Sequence, residues 1–188
     1  MFGAVMNEID ILRQLFRTGC LIELQDDYGK PFVRLQEPGD PDSCVDIVHV
    51  PDDLLAIDLD ANFSNESLFQ SGTGVAVCKR SDYLLISVDL QCALFVEMKR
   101  SSAQGSSVRK QLLGGLCVFE YIDRVVFHFY NTRFLTGYQQ RFVALLDTVL
   151  PKRPTKQRAE PLHDSPENML RIRGMRRVQF NQLARLNA

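Results

Sequence analysis

SDYLLISVDLQCALFVEMKRS, residues 81–101, contains Asp82, Glu97 and Lys99, on which the reading of this chain turns. Tyr83 to Val88 is apolar and β-branched enough to be a strand. Cys92 to Val96 is a continuous apolar run of the kind found in a buried central strand. Asp82 opens the first strand, and Glu97-Met98-Lys99 ends the second. Residues 97 and 99 alternate along a strand, so both side chains leave one face of the sheet. Pairing of the two strands as a hairpin brings Asp82 close to Glu97. Two carboxylates and an ammonium then converge at the end of a sheet. Glu-x-Lys alone is also the pattern of a solvated strand edge. The buried run before it changes that weighting, because charges at the end of such a strand cost free energy unless paired or bound to an ion. Adjacent carboxylates suit a hard cation such as Mg²⁺. A neighbouring lysine can orient a water or stabilise charge on a phosphate.

After Lys99 come a polar loop, Arg100 to Ser107, and a predicted helix over 107–122 with Ser106 or Ser107 as N-cap. This order of Asp, hairpin, Glu-x-Lys, loop and helix resembles the PD-(D/E)xK nuclease superfamily, the restriction-endonuclease-like fold. The resemblance covers about residues 75–130. Gln111, in RKQLLGG, stands where many members carry a Gln on the helix after the Glu-x-Lys strand. Ser81 replaces the Pro of the family motif. The resemblance implies an α/β fold, a mixed sheet flanked by helices, here with an N-terminal β-hairpin region and a basic C-terminal extension. It also implies that Asp82, Glu97 and the Met98 backbone carbonyl hold Mg²⁺ or Mn²⁺. Lys99 would position the attacking water and Gln111 would contact the phosphate backbone. Many members add an acid from an N-terminal helix, for which Glu66 is the first choice and Glu8 the second. Gln111 on an exposed helix face, and Glu66 in the first turn of a surface helix, are the competing readings.

The 188 residues fit one domain of ordinary size with appendages. The apolar fraction of 45% is enough for a core, and no apolar run reaches the span of a membrane helix. The N-terminus carries acids early and lacks the basic region of a signal peptide. Five scattered cysteines without a Cys-x-x-Cys suggest a reducing cytoplasm. His49, His128 and His163 have no zinc-ligand spacing, and His128 reads as a strand residue. Charge is asymmetric. Residues 1–150 carry 13 Lys and Arg against 20 Asp and Glu, a net −7, whereas residues 151–188 carry 9 against 3, a net +6. The basic end could bind phosphates or dock on the acidic body. The division is therefore 1–150, nuclease-like domain, and 151–188, basic Pro-rich linker and extension.

Along the chain, residues 7–17 read as an amphipathic helix stopped by Gly19. Cys20–Leu24 and Pro31–Leu35 flank a hairpin turn, and Val45–Val50 reads as a strand. Leu54 to Asp60 fits helix or strand. Strands are expected over 75–79, 82–89, 92–99 and 124–131, with the helix crossover making the last two parallel. Residues 137–150 read as a second helix. Residues 151–168 read as an extended linker, and 169–186 allow strand or helix. Gly114-Gly115 inside a helix costs about 1 kcal/mol per Gly relative to Ala, which close packing explains.

The leading expectation is a metal-dependent nuclease acting on nucleic acid, DNA before RNA, with no membrane partner. A homo-oligomer or a partner protein would supply targeting, and small members of the family suggest a place in defence or repair. The alternative is a degenerate nuclease fold serving as a binding or assembly subunit.

Overall fold

The structure is a computed structural model and describes residues 6–37, 40, 42–72, 74–99, 105–146 and 162–185. The loop after Lys99, residues 147–150 and most of the expected linker lie outside these residues.

Asn7 starts the first helix, α1 (Glu8–Leu15): its side chain accepts a hydrogen bond from Asp10 N at 2.8 Å. Strand β1 (Leu21–Ile22) follows, then β2 (Gln25–Asp26), β3 (Pro31–Gln36), β4 (Cys44–Val48) and β5 (Leu55–Asp58). The hairpin at Asp26 to Pro31 joins β2 to β3, so Leu21 and Ile22 are not part of it; they pair with Ile57 and Ala56 instead. The ambiguous Leu54–Asp60 segment is a strand followed by the single turn α2 (Leu59–Asn62), which Asp58 caps. Strands β6 (Tyr83–Ser87) and β7 (Cys92–Lys99) form the expected antiparallel hairpin. Then come α3 (Gly105–Tyr130), β8 (Gln139–Leu146), β9 (Leu170–Arg173), β10 (Arg177–Gln179) and α4 (Phe180–Ala184).

The strands make two mixed sheets. The first has the order β1-β5-β6-β7-β8-β9 and the second β10-β4-β3-β2. Strands β5 to β7 are an antiparallel meander, whereas β8 and β9 lie parallel to β7. Alternation gives each face of the first sheet its own core. Leu84, Ile86, Phe95, Phe142 and Ala144 face α1 and α3. Leu85, Leu94, Val96, Val143 and Leu145 face the second sheet and α4, meeting Val33, Ile47, Phe180 and Leu183. Two-sided burial explains the unbroken apolar runs of β7 and β8.

Several expectations are corrected. Residues 75–79 form turns, not a strand. Of the expected strand 124–131, residues 124–130 belong to α3, because Phe119, Ile122 and Val126 recur at helical spacing along its buried side. His128 is therefore helical. Residues 139–146, read as a helix, are the strand that pairs parallel with β7, since their apolar residues are buried on both faces. Residues 170–184 are built into both sheets and the second core. Among the described residues, no helix is long and apolar enough to cross a membrane.

Candidate active site

The register Tyr83↔Val96 sets Asp82 across from Glu97 at the open end of the β6–β7 pair. Both carboxylates lie on the α3 face, one row beyond Leu84 and Phe95. Asp82 is 4% exposed and Glu97 is fully buried. The two strands exchange bonds through them. Met98 N donates to Asp82 Oδ2 at 2.7 Å, and Asp82 N donates to Glu97 Oε2 at 3.3 Å. The Lys99 ammonium forms an ion pair with Glu97 Oε1. The hairpin thus brings Asp82, Glu97 and Lys99 together as the sequence suggested.

Burial pushes the Asp82 carboxyl up to about 6, against the opposing pull of the Met98 N–H and the Lys99 charge. Burial and then the Asp82 charge push Glu97 up to about 8, despite Lys99. For Lys99, burial acts downward, but Glu97 and Asp82 outweigh it and the net shift is upward. Two buried acids and a single ammonium leave the cluster short of positive charge. Hard oxygen donors with that deficit fit a divalent cation such as Mg²⁺ or Mn²⁺. Asp82, Glu97 and the Met98 backbone would hold it. Among the described residues, no third His, Cys, Asp or Glu completes a metal-sized cluster.

The segment before Asp82 is held in place by several devices that sequence reasoning missed. The Asp82 carbonyl accepts from Leu59 N at 2.9 Å and Asp60 N at 3.3 Å. Arg80 donates from Nε to the Leu59 carbonyl at 3.1 Å and from Nη2 to the Asp60 carbonyl at 2.7 Å, and it also pairs with the Asp60 carboxylate at 3.2 Å. Ser81, in the place of the motif Pro, is fully buried and donates to the Tyr83 carbonyl at 3.2 Å. The Gly114-Gly115 pair of α3 lies directly against residues 79–81. Nothing in the periodicity of the chain marks Arg80 or Asp60, because their partners are set by tertiary folding alone.

Gln111 and Glu66 share a different space. With Asp60, Arg80 and Lys79 they line a cleft of about 440 Å³ beside the segment leading into Asp82. Gln111 is half-buried on α3, one turn before Gly114 and Gly115. Glu66 is exposed in a turn rather than in a helix, and it does not join Asp82 and Glu97 in a metal-sized group. Glu8 lies in the first turn of α1.

No family model, no curated protein and no solved structure matches this chain.

Proposed function

We propose that the protein is a metal-dependent nuclease that hydrolyses phosphodiester bonds in nucleic acid, with DNA the preferred class. The observation that carries this reading is the pairing of buried Asp82 with buried Glu97 across β6 and β7, with Lys99 on Glu97. The run of elements around it gives further support. An antiparallel meander, a helix and a parallel strand follow one another, an order compatible with a restriction-endonuclease-like sheet. In this mechanism Asp82, Glu97 and the Met98 carbonyl would hold Mg²⁺ or Mn²⁺, which would supply Lewis acidity at the scissile phosphate. Lys99, fixed by Glu97, orients the water that attacks phosphorus. The Arg80 network fixes the Asp82 backbone. Gln111 and Glu66 border the cleft through which the phosphate chain approaches, with Gln111 as the contact to the backbone.

The deciding assay incubates wild type and Lys99→Ala with single- and double-stranded DNA and RNA in Mg²⁺ or Mn²⁺. Wild type cleaves, chelator abolishes cleavage, and Lys99→Ala slows it by about 10²–10⁴-fold.

A second reading, a degenerate nuclease fold acting as a binding or assembly subunit, draws on a separate observation. Leu113, Tyr121 and Phe129 on α3 are 50%, 62% and 81% exposed, apolar side chains spread around the helix that a second copy or a partner protein could cover. Lack of cleavage on every substrate, with no divalent-ion stabilisation of the fold, selects that reading.

A further inference from the structure

The basic C-terminal part divides into two groups once the strands are placed. Arg176 and Arg177 are tied to the second sheet's edge: Arg176 donates to the Asp42 carbonyl at 2.5 Å, and Arg177 pairs with Asp27. These arginines dock on the acidic body. Arg171 and Arg173 do something else. Strand β9 pairs parallel with β8, with Ala144 opposite Arg171 and Leu146 opposite Arg173. Strand β8 in turn places Ala144 opposite Glu97 and Leu146 opposite Lys99. Two rows therefore cross the sheet, one running Glu97–Ala144–Arg171 and the other Lys99–Leu146–Arg173. Ile172, between the arginines, is buried in the opposite core, so both arginines leave the sheet on the carboxylate face.

Arg171 confirms this direction. A methyl group built on Gly105 would lie 2.5 Å from its Nη2, so the guanidinium lies over the first residue of α3. A cation at a helix N-terminus gains nothing from the helix dipole, which favours an anion there. Arg171 is exposed and Arg173 half-buried, and neither has an ion-pair partner among the described residues. With strands about 4.8 Å apart, the arginines stand about 10 Å from the carboxylate strand. That site also lies beyond the C-terminal ends of three parallel strands, where open α/β sheets bind ligands.

We propose that Arg171 and Arg173 form, with Lys99, a phosphate-binding rail that seats the nucleic-acid backbone alongside the Asp82–Glu97 pair. The inference rests on the nuclease reading for its substrate class. Binding can nevertheless be measured apart from cleavage. Anisotropy titrations of a labelled duplex DNA in chelator, over a series of salt concentrations, give the slope of log K against log salt. Arg171→Gln and Arg173→Gln each flatten that slope by about 0.9, and the double variant by about twice as much. Arg171→Lys retains the wild-type slope, and Arg177→Gln leaves it unchanged because that residue is engaged by Asp27. Unchanged thermal melting of the glutamine variants shows that the fold is intact. Binding by wild type with an unaltered slope in the double variant overturns the rail and leaves the nuclease reading standing. A flattened slope in a protein that cleaves nothing keeps the rail and overturns the nuclease reading. No DNA binding by wild type overturns the rail outright.

Discussion

Gly114 of α3 sits against the carbonyl of Lys79 so closely that a methyl group in its place would overlap the oxygen and come within 2.6 Å of the carbon. Its neighbour Gly115 would meet Ser81 Cβ at 3.1 Å and Phe95 Cδ1 at 3.3 Å. The helix is thereby seated on the three residues that deliver Asp82 to its place opposite Glu97. An alanine at 114 gains about 1 kcal/mol of helix propensity. It must also displace backbone, a strain of about 1–3 kcal/mol in tightly packed interiors. Gly114→Ala is expected to lower the melting temperature, whereas Gly19→Ala, with open space around it, is not. Because the displaced backbone leads into Asp82, the proposed divalent-ion site predicts a smaller Mg²⁺-induced melting shift in Gly114→Ala than in wild type, which a melting series with and without Mg²⁺ reads directly.

Glu97 makes stability pH-dependent in a direction opposite to most carboxylates. Its folded pKa, about 8, lies above the unfolded value of about 4.5. The folded protein therefore holds the proton longer than the unfolded chain, and stability falls as pH rises through that window. Below about 4.5 both states are protonated and the penalty vanishes. Above about 8 it is fully present. Glu97→Gln removes the group that is costly to ionise. The variant is expected to melt above wild type at pH 9, with the gap shrinking toward pH 5. Each kcal/mol corresponds to about 2–4 °C in a chain of this size. A gap that is constant with pH would show that Glu97 is not the titrating group.

On the proposed reading, a divalent cation would compete with protons for the same pair. At pH 6, Glu97 is mostly protonated and Asp82 is near its midpoint, about 6, whereas by pH 8.5 both carboxylates are mostly free of protons. The melting shift produced by Mn²⁺ or Mg²⁺ is expected to be larger at pH 8.5 than at pH 6. Saturation at about 100 times Kd adds about 2.7 kcal/mol. Asp82→Asn, which keeps the shape and loses the charge, is expected to abolish most of that shift. Calorimetric melting across metal concentrations checks both statements.

The hairpin holding Asp82, Glu97 and Lys99 was legible because its strands are apolar runs of strand length and its charges cluster at the ends. What failed was the distinction between helix and strand in 124–131 and 139–146. Each is a short apolar stretch without clear period, and the sequence alone does not decide which face is covered. Val126 is helical because α3 continues the burial rhythm of Phe119 and Ile122, whereas Phe142 is in a strand because β7 lies beside it and both faces are packed. Arg80 is invisible as a site residue for a related reason. Its partners at Leu59 and Asp60 are brought near only by the finished fold.

The C-terminal residues have the basic composition of a removable arm but the packing of a core element. Phe180 is 1% exposed and Leu183 fully buried in the core between the two sheets. Arg141 of β8, itself 4% exposed, donates to the Ala184 carbonyl at 2.8 Å and to the Arg185 carbonyl at 3.2 Å. Removing residues 162–188 would strip β9 from the edge of β8, open the second core and leave the Arg141 guanidinium without those acceptors. Arg141 keeps its bonds to the Gln139 side chain and the Gln140 carbonyl, so the loss falls mainly on the apolar core, at about 1.5–3 kcal/mol for each large side chain exposed. The truncated chain is expected to be insoluble or to lack a cooperative melt. Phe180→Ala, a milder insult to the same core, costs about 3–5 kcal/mol, a fall of about 10 °C in Tm. A truncated protein that melted cooperatively near the wild-type temperature would show that β9, β10 and α4 are dispensable appendages.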